Sequence, residues 1–196
     1  MRVNKITDWV YNFEDVLPIN LFMALSDMLT NAEGYHTNDV RPGNTKMFVK
    51  DPQVFAILLH LREKLFEQVD ELNGPDIDWN PLEFKWCNAL AKGPVNDAHW
   101  HTDGGPRELM IVFYFHHNWK AEWNGKLQFE NVELYPKPNS AVIFPAELHH
   151  RIEPASMTAE EWRRTVTFPT EVTQASWTIN VKDVQEKLSK LEKAVL

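Results

Sequence analysis

The sequence predicts a mainly β domain with flanking helices, arranged as a double-stranded β-helix (jelly roll) that N-terminal helices buttress. Two segments with helical periodicity lie between about residues 18 and 72, and short apolar segments separated by turn residues fill about 82–170. One of them, Leu109 to Phe115, is apolar on both faces, which is typical of a strand buried between two layers. Many antiparallel strands preceded by two helices are the pattern of a jelly roll with helical support.

Three helices are predicted. The first spans Pro18 to Asn31 and carries an apolar stripe. The second spans Asp51 to Leu72, where Asp51 can cap the helix and Pro52 suits its first turn. The third, Val184 to Val195, has a narrow apolar stripe that could dock on this domain or on a second copy of the chain, and docking within the chain is favoured.

Six segments are predicted to be strands because apolar, β-branched and aromatic residues are concentrated there between turn residues. The Pro-, Gly- and Asn-rich stretch from His36 to Lys46 is predicted to be a loop, either a lid over a site or an ordinary surface connection. The predicted strands are Leu82–Ala91, Glu108–Phe115, Lys126–Phe129, Ser140–Phe144, His150–Glu153 and Arg163–Phe168.

The composition is that of a globular chain without a membrane or nucleic-acid partner. The length of 196 residues suits one domain, so we expect a single unit over 1–196, with helical support at about 18–72, a roll at about 82–170 and a C-terminal helix at about 184–195. The net charge of −8 disfavours binding to phosphate backbones, and no apolar stretch reaches the ~20 residues that span a bilayer. A single cysteine excludes an intramolecular disulfide. We expect a cytoplasmic protein, and the oligomeric state is not predicted.

The histidine and aspartate pattern around residue 101 indicates a metal site. His101 and Asp103 are two residues apart, so in an extended segment both side chains lie on the same face. A second imidazole from a distant strand would complete three ligands on one face of an octahedron. This arrangement leaves three coordination positions open and is typical of non-haem Fe(II) oxygenases.

Six motifs in order resemble the catalytic core of the 2-oxoglutarate- and Fe(II)-dependent oxygenases, especially the prolyl-hydroxylase-like branch. The resemblance covers about residues 88–168, and each motif stands in the order and spacing of the family. The motifs are His101-Thr102-Asp103, the Arg-led strand from Arg107 that runs through Tyr114 to a Trp turn, Asn124-Gly125-Lys126-Leu127, the Pro-bounded strand that ends in Phe144-Pro145, His150-Arg151-Ile152-Glu153-Pro154, and Arg163-Arg164-Thr165.

The resemblance implies three iron ligands, which are also the catalytic residues. His101 and Asp103 match the first two, and His150 matches the third because Ile152 and Pro154 stand where the family motif places an aliphatic residue and a proline. His149 is the alternative third ligand.

The resemblance also implies residues that bind the cosubstrate. Arg163 matches the basic residue that pairs with the C5 carboxylate of 2-oxoglutarate, and a planar guanidinium suits a carboxylate. Arg164 is the alternative, and strand alternation allows only one of the two to face inward. Tyr114 matches the cosubstrate-binding tyrosine, and Thr165 or Thr167 could add a hydroxyl on the Arg163 face.

By resemblance, the function is hydroxylation of a C–H bond with Fe(II), 2-oxoglutarate and O2, releasing succinate and CO2; a requirement for ascorbate is left open. A prolyl residue in a peptide or protein is the favoured substrate, and a free amino acid or other small molecule is the alternative. Two other classes are weighed: a non-catalytic, cupin-like metal-binding module, and a zinc hydrolase on the same three residues. The hydrolase lacks an obvious general base and does not account for Arg163 with Tyr114.

Overall fold

The fold is drawn from a computed structural model, which describes residues 1–7, 9–33, 35–37, 44–68, 88–92, 99–105 and 108–171. Within these residues the chain forms eleven strands, two α-helices and one short 3-10 helix, Ala121–Trp123. The α-helices are α1, Ile19–Thr30, and α2, Pro52–Phe66. The strands are β1 Arg2–Lys5, β2 Tyr11–Glu14, β3 His36–Thr37, β4 Asn44–Phe48, β5 Asn88–Lys92, β6 Glu108–Tyr114, β7 Leu127–Phe129, β8 Val132–Leu134, β9 Ser140–Pro145, β10 His150–Ile152 and β11 Arg163–Glu171.

Two antiparallel sheets form the roll. The major sheet has eight strands in the order β1-β2-β9-β6-β11-β5-β4-β3, and the minor sheet has three in the order β10-β7-β8. In the major sheet β6 lies between β9 and β11, with Tyr114 opposite both Ser140 and Thr165. This is the helix-supported double-stranded β-helix that the sequence predicts, and its fold class is confirmed.

The two faces of the major sheet have different partners. One face buries Phe113, Ile143 and Phe168 against Leu25 of α1 and Leu58 of α2. The opposite face, called here the inner face, buries an apolar set against the minor sheet. Both sheets contribute side chains to this second core: Met110, Val112, Val142 and Phe144 from the major sheet, and Leu127, Phe129 and Leu134 from the minor sheet. The helices therefore stabilise the sheet from one side and leave the inner face to pack against the minor sheet.

Both predicted N-terminal helices are present, with shorter bounds. Asp51 caps α2, since its carboxylate accepts hydrogen bonds from the backbone N–H groups of Gln53 (2.8 Å) and Val54 (3.1 Å). The helix ends at Phe66 rather than Leu72, and a turn follows at 67–68. Residues 69–72 and the predicted helix Val184–Val195 lie outside the described residues.

The sequence analysis missed several strands. It predicted two helices ahead of the sheet, but β1 and β2 precede α1, and β8 follows β7 through a tight turn. Strands of two to four residues are too short to show a clear period-two pattern. The predicted loop His36–Lys46 was wrong at its two ends, where β3 pairs with β4, and residues 38–43 lie outside the described residues. Of the predicted strand Leu82–Ala91, only the part from Asn88 is described, as β5.

Neither described helix has the length and apolar character needed to cross a bilayer.

Candidate active site

A backbone bridge brings His101 and His150 together, although they are far apart in the sequence. The N–H of His101 donates to the carbonyl of His150 (2.9 Å), and the N–H of His150 donates to the carbonyl of His101 (3.0 Å). Two residues further on, the N–H of Asp103 donates to the carbonyl of Ala146 (2.9 Å), next to the end of β9. These contacts place all three side chains at one end of the roll.

The three predicted ligands converge. The Asp103 carboxylate lies between the two imidazoles, 3.4 Å from His101 Nε2 through Oδ1 and 3.3 Å from His150 Nε2 through Oδ2. One donor atom from each residue lies within 4.8 Å of the other two. Two ligands at right angles around an octahedral ion, each about 2.1 Å away from it, are about 3 Å apart. The set therefore fits one small divalent cation.

Hydrogen bonds fix which nitrogen of each imidazole faces the site. Nδ1 of His101 lies 2.6 Å from the carbonyl oxygen of His99, and Nδ1 of His150 lies 2.8 Å from that of Leu148. A carbonyl can only accept, so both Nδ1 atoms carry the proton. Each Nε2 then presents a lone pair to the site, which is how backbone carbonyls usually orient metal-binding histidines.

The carboxylate is ionised. Burial raises the pKa of Asp103, but the two facing imidazoles have the larger combined effect and lower it well below its usual range. An Nε2 atom that faces a carboxylate oxygen must carry a proton or share a cation with it. Two lone pairs and one negative charge directed at one point are therefore suited to a metal ion, and two imidazoles with one carboxylate form the donor set of non-haem Fe(II) sites.

The structure distinguishes His150 from the alternative, His149. The His150 side chain is 4% exposed, and its ring packs on Phe144 at 4.9 Å between centroids. His149 is exposed, and its ring lies near that of Trp100 at 5.6 Å. Successive residues point to opposite faces of the minor sheet, so only His150 faces Asp103.

Arg163 lies on the inner face, at the other end of β6 from the three converging side chains. Its Nε donates to the carbonyl of Gly125 (2.8 Å), its Nη2 donates to the hydroxyl of Tyr114 (3.2 Å), and its guanidinium carbon lies 4.9 Å from the centre of the Tyr114 ring. Arg164 points the other way and forms an ion pair with Glu161 at 3.2 Å. The two candidate arginines thus occupy opposite faces of β11.

Arg163 is an unusual buried charge. It is 1% exposed, and among the described residues no carboxylate pairs with it. Burial lowers the pKa of its guanidinium, while Tyr114 has the opposite, smaller effect. Two of its five N–H groups donate to Gly125 and Tyr114. A buried charge without a counter-ion is costly, so the geometry favours an anionic ligand here.

The two predicted threonines share the inner face with Arg163. Thr165 lies opposite Tyr114, and Thr167, two residues further along β11, lies opposite Val112. The Thr167 hydroxyl oxygen is buried, and within the described part of the chain it has no hydrogen-bond partner. A hydrogen bond from a polar ligand or a water would stabilise such an oxygen.

Sequence reasoning did not identify the groups that support Arg163. Gly125, with φ of +78°, offers its carbonyl to the guanidinium, and an added Cβ would come within 3.0 Å of the Trp119 ring and 3.3 Å of Arg163 Cδ. Trp119 in turn donates from Nε1 to the carbonyl of Asn124 (2.8 Å). The Asn-Gly pair and the Trp turn were visible as motifs, but no sequence pattern indicates which carbonyl faces a guanidinium.

His116 is a buried histidine that must remain neutral, and its ring lies 5.9 Å from that of Tyr114. Its Nε2 donates to the carbonyl of Pro136 (2.7 Å), and its Nδ1 accepts from the N–H of Arg164 (3.3 Å). Burial is the main cause that lowers the pKa of His116 to about 3, and the nearby arginines add to it. Each ring nitrogen of the neutral imidazole therefore has a hydrogen-bond partner.

We expect His116 to make the fold sensitive to acid. The unfolded chain binds a proton on this side chain below its ordinary pKa of about 6.5, whereas the folded chain binds it only near pH 3. The free energy of unfolding therefore decreases as the pH falls through this range, and at pH 4.5 the decrease is roughly 2.5 kcal/mol. In urea unfolding at pH 7.5 and 4.5, His116→Gln should show a smaller loss than the wild type. The matched control is His60→Gln, on the exposed side of α2, which should keep the wild-type loss; an equal loss in His116→Gln would contradict the prediction.

Comparisons with known proteins show what the fold and one segment of the chain are similar to. Residues 87–168 match the model of the 2OG-Fe(II) oxygenase superfamily. No curated protein sequence matches the chain. A prolyl-4-hydroxylase from Pseudomonas putida has a similar structure, with a TM-score of 0.66 and 19% identity over 84% of this chain and 93% of that one.

Two further solved structures are similar. One is a prolyl hydroxylase from Trichoplax adhaerens in complex with a peptide of the hypoxia inducible factor oxygen degradation domain, with a TM-score of 0.65 and 14% identity over 84% of each chain. The other is HygX from Streptomyces hygroscopicus with nickel and 2-oxoglutarate bound, with a TM-score of 0.62 and 10% identity over 84% of this chain and 83% of that one.

The two-sheet roll and the converging His, Asp and His side chains are the arrangement expected of a metal-dependent oxygenase. The matched segment makes the comparison more specific: residues 87–168 are similar to the 2OG-Fe(II) oxygenase superfamily, which supports an enzyme of this class, and the fold is shared with prolyl hydroxylases. This match implies Fe(II) as the cofactor and 2-oxoglutarate and O2 as cosubstrates, and the His, Asp and His donor set fits that ion. A non-catalytic module and a zinc hydrolase, the two other classes weighed from the sequence, do not account for this match.

Proposed function

We propose that this enzyme hydroxylates a prolyl residue in a peptide or protein, with release of succinate and CO2. His101, Asp103 and His150 would hold Fe(II). Tyr114 and Arg163 would bind the C5 carboxylate of 2-oxoglutarate, with Thr165 and Thr167 on the same face. The proposal rests above all on one observation: three lone-pair donors converge within 4.8 Å, and backbone carbonyls already set the tautomers of the two histidines.

Each side chain has a defined part in the proposed reaction. When bound, Fe(II) with 2-oxoglutarate and O2 supplies the oxidising power that decarboxylates the cosubstrate and inserts oxygen into a C–H bond. The backbone carbonyls of His99 and Leu148 orient the two imidazoles, so the ligand set is in place before the metal arrives.

Arg163 and Tyr114 would act as an anion clamp. The guanidinium is held by Gly125 and Tyr114 in a buried position, so its remaining N–H groups are preorganised toward a carboxylate. Met110, Val112 and Phe144 line the same inner face and exclude water, which strengthens the charge pairing. A dicarboxylate bound at one end by Arg163 would have its other end free for the metal.

The choice of a prolyl substrate is supported by the prolyl-hydroxylase-like motifs and by the fold shared with two prolyl hydroxylases. Because these structures are under 20% identical to the chain, they support the substrate class only as a proposal. HygX, which shares the fold, was solved with hygromycin B bound, so the same scaffold also accommodates a small molecule in another protein.

The proposal is tested by a coupled turnover assay. The enzyme is supplied with Fe(II), 2-oxoglutarate, O2 and ascorbate, and succinate is measured with a library of proline-containing peptides. The matched control is the same library with alanine in place of proline. We expect proline peptides alone to stimulate succinate and to gain the mass of one oxygen atom. Stimulation by free proline or another small molecule alone would overturn the peptide assignment, and an absence of succinate under all conditions would overturn the activity.

A further inference from the structure

The segment that carries His101 and Asp103 is attached to the roll by few backbone contacts. The minor sheet has three strands, and residues 99–105 lie beside β10 where a fourth strand would be, joined by the single residue pair His101 and His150. Beyond this bridge, the N–H groups of Asp103 and Gly104 share one acceptor, the carbonyl of Ala146, at 2.9 and 3.2 Å. At the end of the segment, the N–H of Gly105 donates to the Glu108 carboxylate (3.0 Å), and the N–H of Glu108 donates to the carbonyl of Gly105 (3.2 Å). Two of the three proposed ligands are thus held on the roll by one bridge, one shared carbonyl and Glu108.

A side-chain cluster on the outer face of the minor sheet reinforces this attachment. The bridge register places Trp100 opposite Arg151, and the Arg151 guanidinium carbon lies 5.1 Å from the centre of the Trp100 ring. The His149 ring also packs near Trp100, at 5.6 Å. Because neighbouring residues point to opposite faces, this cluster is on the side of the sheet away from Asp103. None of its members takes part in the proposed chemistry.

Arg151 is itself fixed by polar contacts that cross all three strands. Its Nε donates to the amide oxygen of Gln128 on β7 (2.7 Å), and Gln128 Nε2 donates to Glu133 on β8 (2.6 Å). Lys126 Nζ completes the series with an ion pair to the other oxygen of Glu133 (2.7 Å). Trp100 therefore packs on a guanidinium that is held in place rather than on a freely moving side chain.

We infer that Trp100 is a positioning residue for metal binding, acting by fixing the segment 99–105 against β10 from outside the site. This inference rests on the proposed assignment of His101, Asp103 and His150 as the metal ligands. Trp100 is 39% exposed and contributes little to either core, so its burial alone does not account for its contacts with both His149 and Arg151.

The expected effect is a loss of metal affinity at nearly unchanged stability. An aromatic pair and an exposed cation–π contact are together worth a factor of about 5 to 50 in an equilibrium constant. When they are lost, only a fraction of the molecules hold both ligands in place, and the apparent Kd rises by the inverse of that fraction. We therefore expect Trp100→Ala to raise the Kd for Mn(II) about 5- to 50-fold, with the Tm of the metal-free protein close to that of the wild type.

The experiment is a Mn(II) titration of the full chain, with free Mn(II) followed by its electron paramagnetic resonance signal and the Tm measured without metal. Trp100→Phe, which keeps an aromatic ring, should restore most of the affinity. Arg151→Gln removes the cation and should weaken Mn(II) binding less than Trp100→Ala does. If Trp100→Ala does not fold, Arg151→Gln still tests the same cluster. The matched control is Trp162→Ala. Trp162 is also 39% exposed, but it directly precedes β11 and is not part of the cluster around Trp100.

The outcomes separate this inference from the ligand assignment. Wild-type affinity in both Trp100→Ala and Arg151→Gln, with binding lost in Asp103→Ala, would overturn the role of Trp100 and leave the ligands in place. A weakening in Trp162→Ala equal to that in Trp100→Ala would also overturn it, because the effect would then be general to exposed tryptophans. Failure of the wild type to bind Mn(II) would overturn both proposals.

Discussion

Replacing Asp103 with alanine is expected to abolish succinate production and leave the fold intact. Asp103 supplies the only carboxylate of the proposed ligand set and lies 3.3 and 3.4 Å from the two imidazoles. Loss of an outer-shell partner of a metal ligand typically costs 10- to 100-fold, so the loss of a ligand should exceed about 100-fold. The side chain is 28% exposed and belongs to neither core, so the Tm should change by no more than a few degrees.

The measurement is succinate formation with Fe(II) and 2-oxoglutarate, together with Mn(II) affinity. Thr102→Ala is the matched control, because Thr102 is an exposed neighbour in the same segment and points away from the imidazoles. Robust succinate production by Asp103→Ala would contradict the assignment of this carboxylate. Equal losses in Thr102→Ala and Asp103→Ala would indicate a general disturbance of the segment instead.

The second large effect is expected at Arg163. A charge-assisted hydrogen bond is worth about 1.5–3 kcal/mol, so Arg163→Ala should weaken the binding of 2-oxoglutarate by about 10- to 150-fold. Because Arg163 is fully enclosed, its truncation also leaves a cavity, and Arg163→Lys serves as a second variant that keeps the charge. The lysine variant should bind more tightly than the alanine variant and less tightly than the wild type, because it lacks the planar fork.

Arg164→Ala is the control that the chain offers for this experiment. Arg164 has the same chemistry and the adjacent position, but it faces the other side of β11 and pairs with the half-buried Glu161. We expect its 2-oxoglutarate affinity, measured by calorimetry with Mn(II) in the absence of O2, to stay within about twofold of the wild type, since a partly exposed ion pair is worth at most ~1 kcal/mol. Unchanged affinity in Arg163→Ala with a loss in Arg164→Ala would reverse the assignment.

Much of the roll could be predicted because its strands carry strong local signals. The segment from Leu109 to Tyr114 is buried and lies in the middle of the major sheet, as expected from its apolar character on both faces. Asp51 and Pro52 marked the start of α2 correctly because capping is a local interaction. The end of α2 and the short strands β1, β2 and β8 were not predicted, since pairing with distant strands rather than local propensity decides them.

The candidate site divides in the same way. The sequence motifs predicted His101, Asp103 and His150 as ligands, and the structure brings their side chains together. Neither the backbone carbonyls that set the imidazole tautomers nor the carbonyl of Gly125 beside Arg163 could be found from sequence, because every residue has a carbonyl. The contact between Trp100 and Arg151 likewise depends on the bridge between two segments that are about 50 residues apart.

The alternation along β11 limits how this enzyme could diversify. Arg163, Thr165 and Thr167 lie on the inner face, whereas Val166 and Phe168 face the helices. Inserting or deleting one residue here would move the Arg163 side chain to the hydrophobic core under the helices and the Phe168 side chain to the inner face. Evolution or engineering can therefore exchange side chains on this strand only if Arg163 and the strand's length are conserved; changes of length are better tolerated in the surface connections between strands.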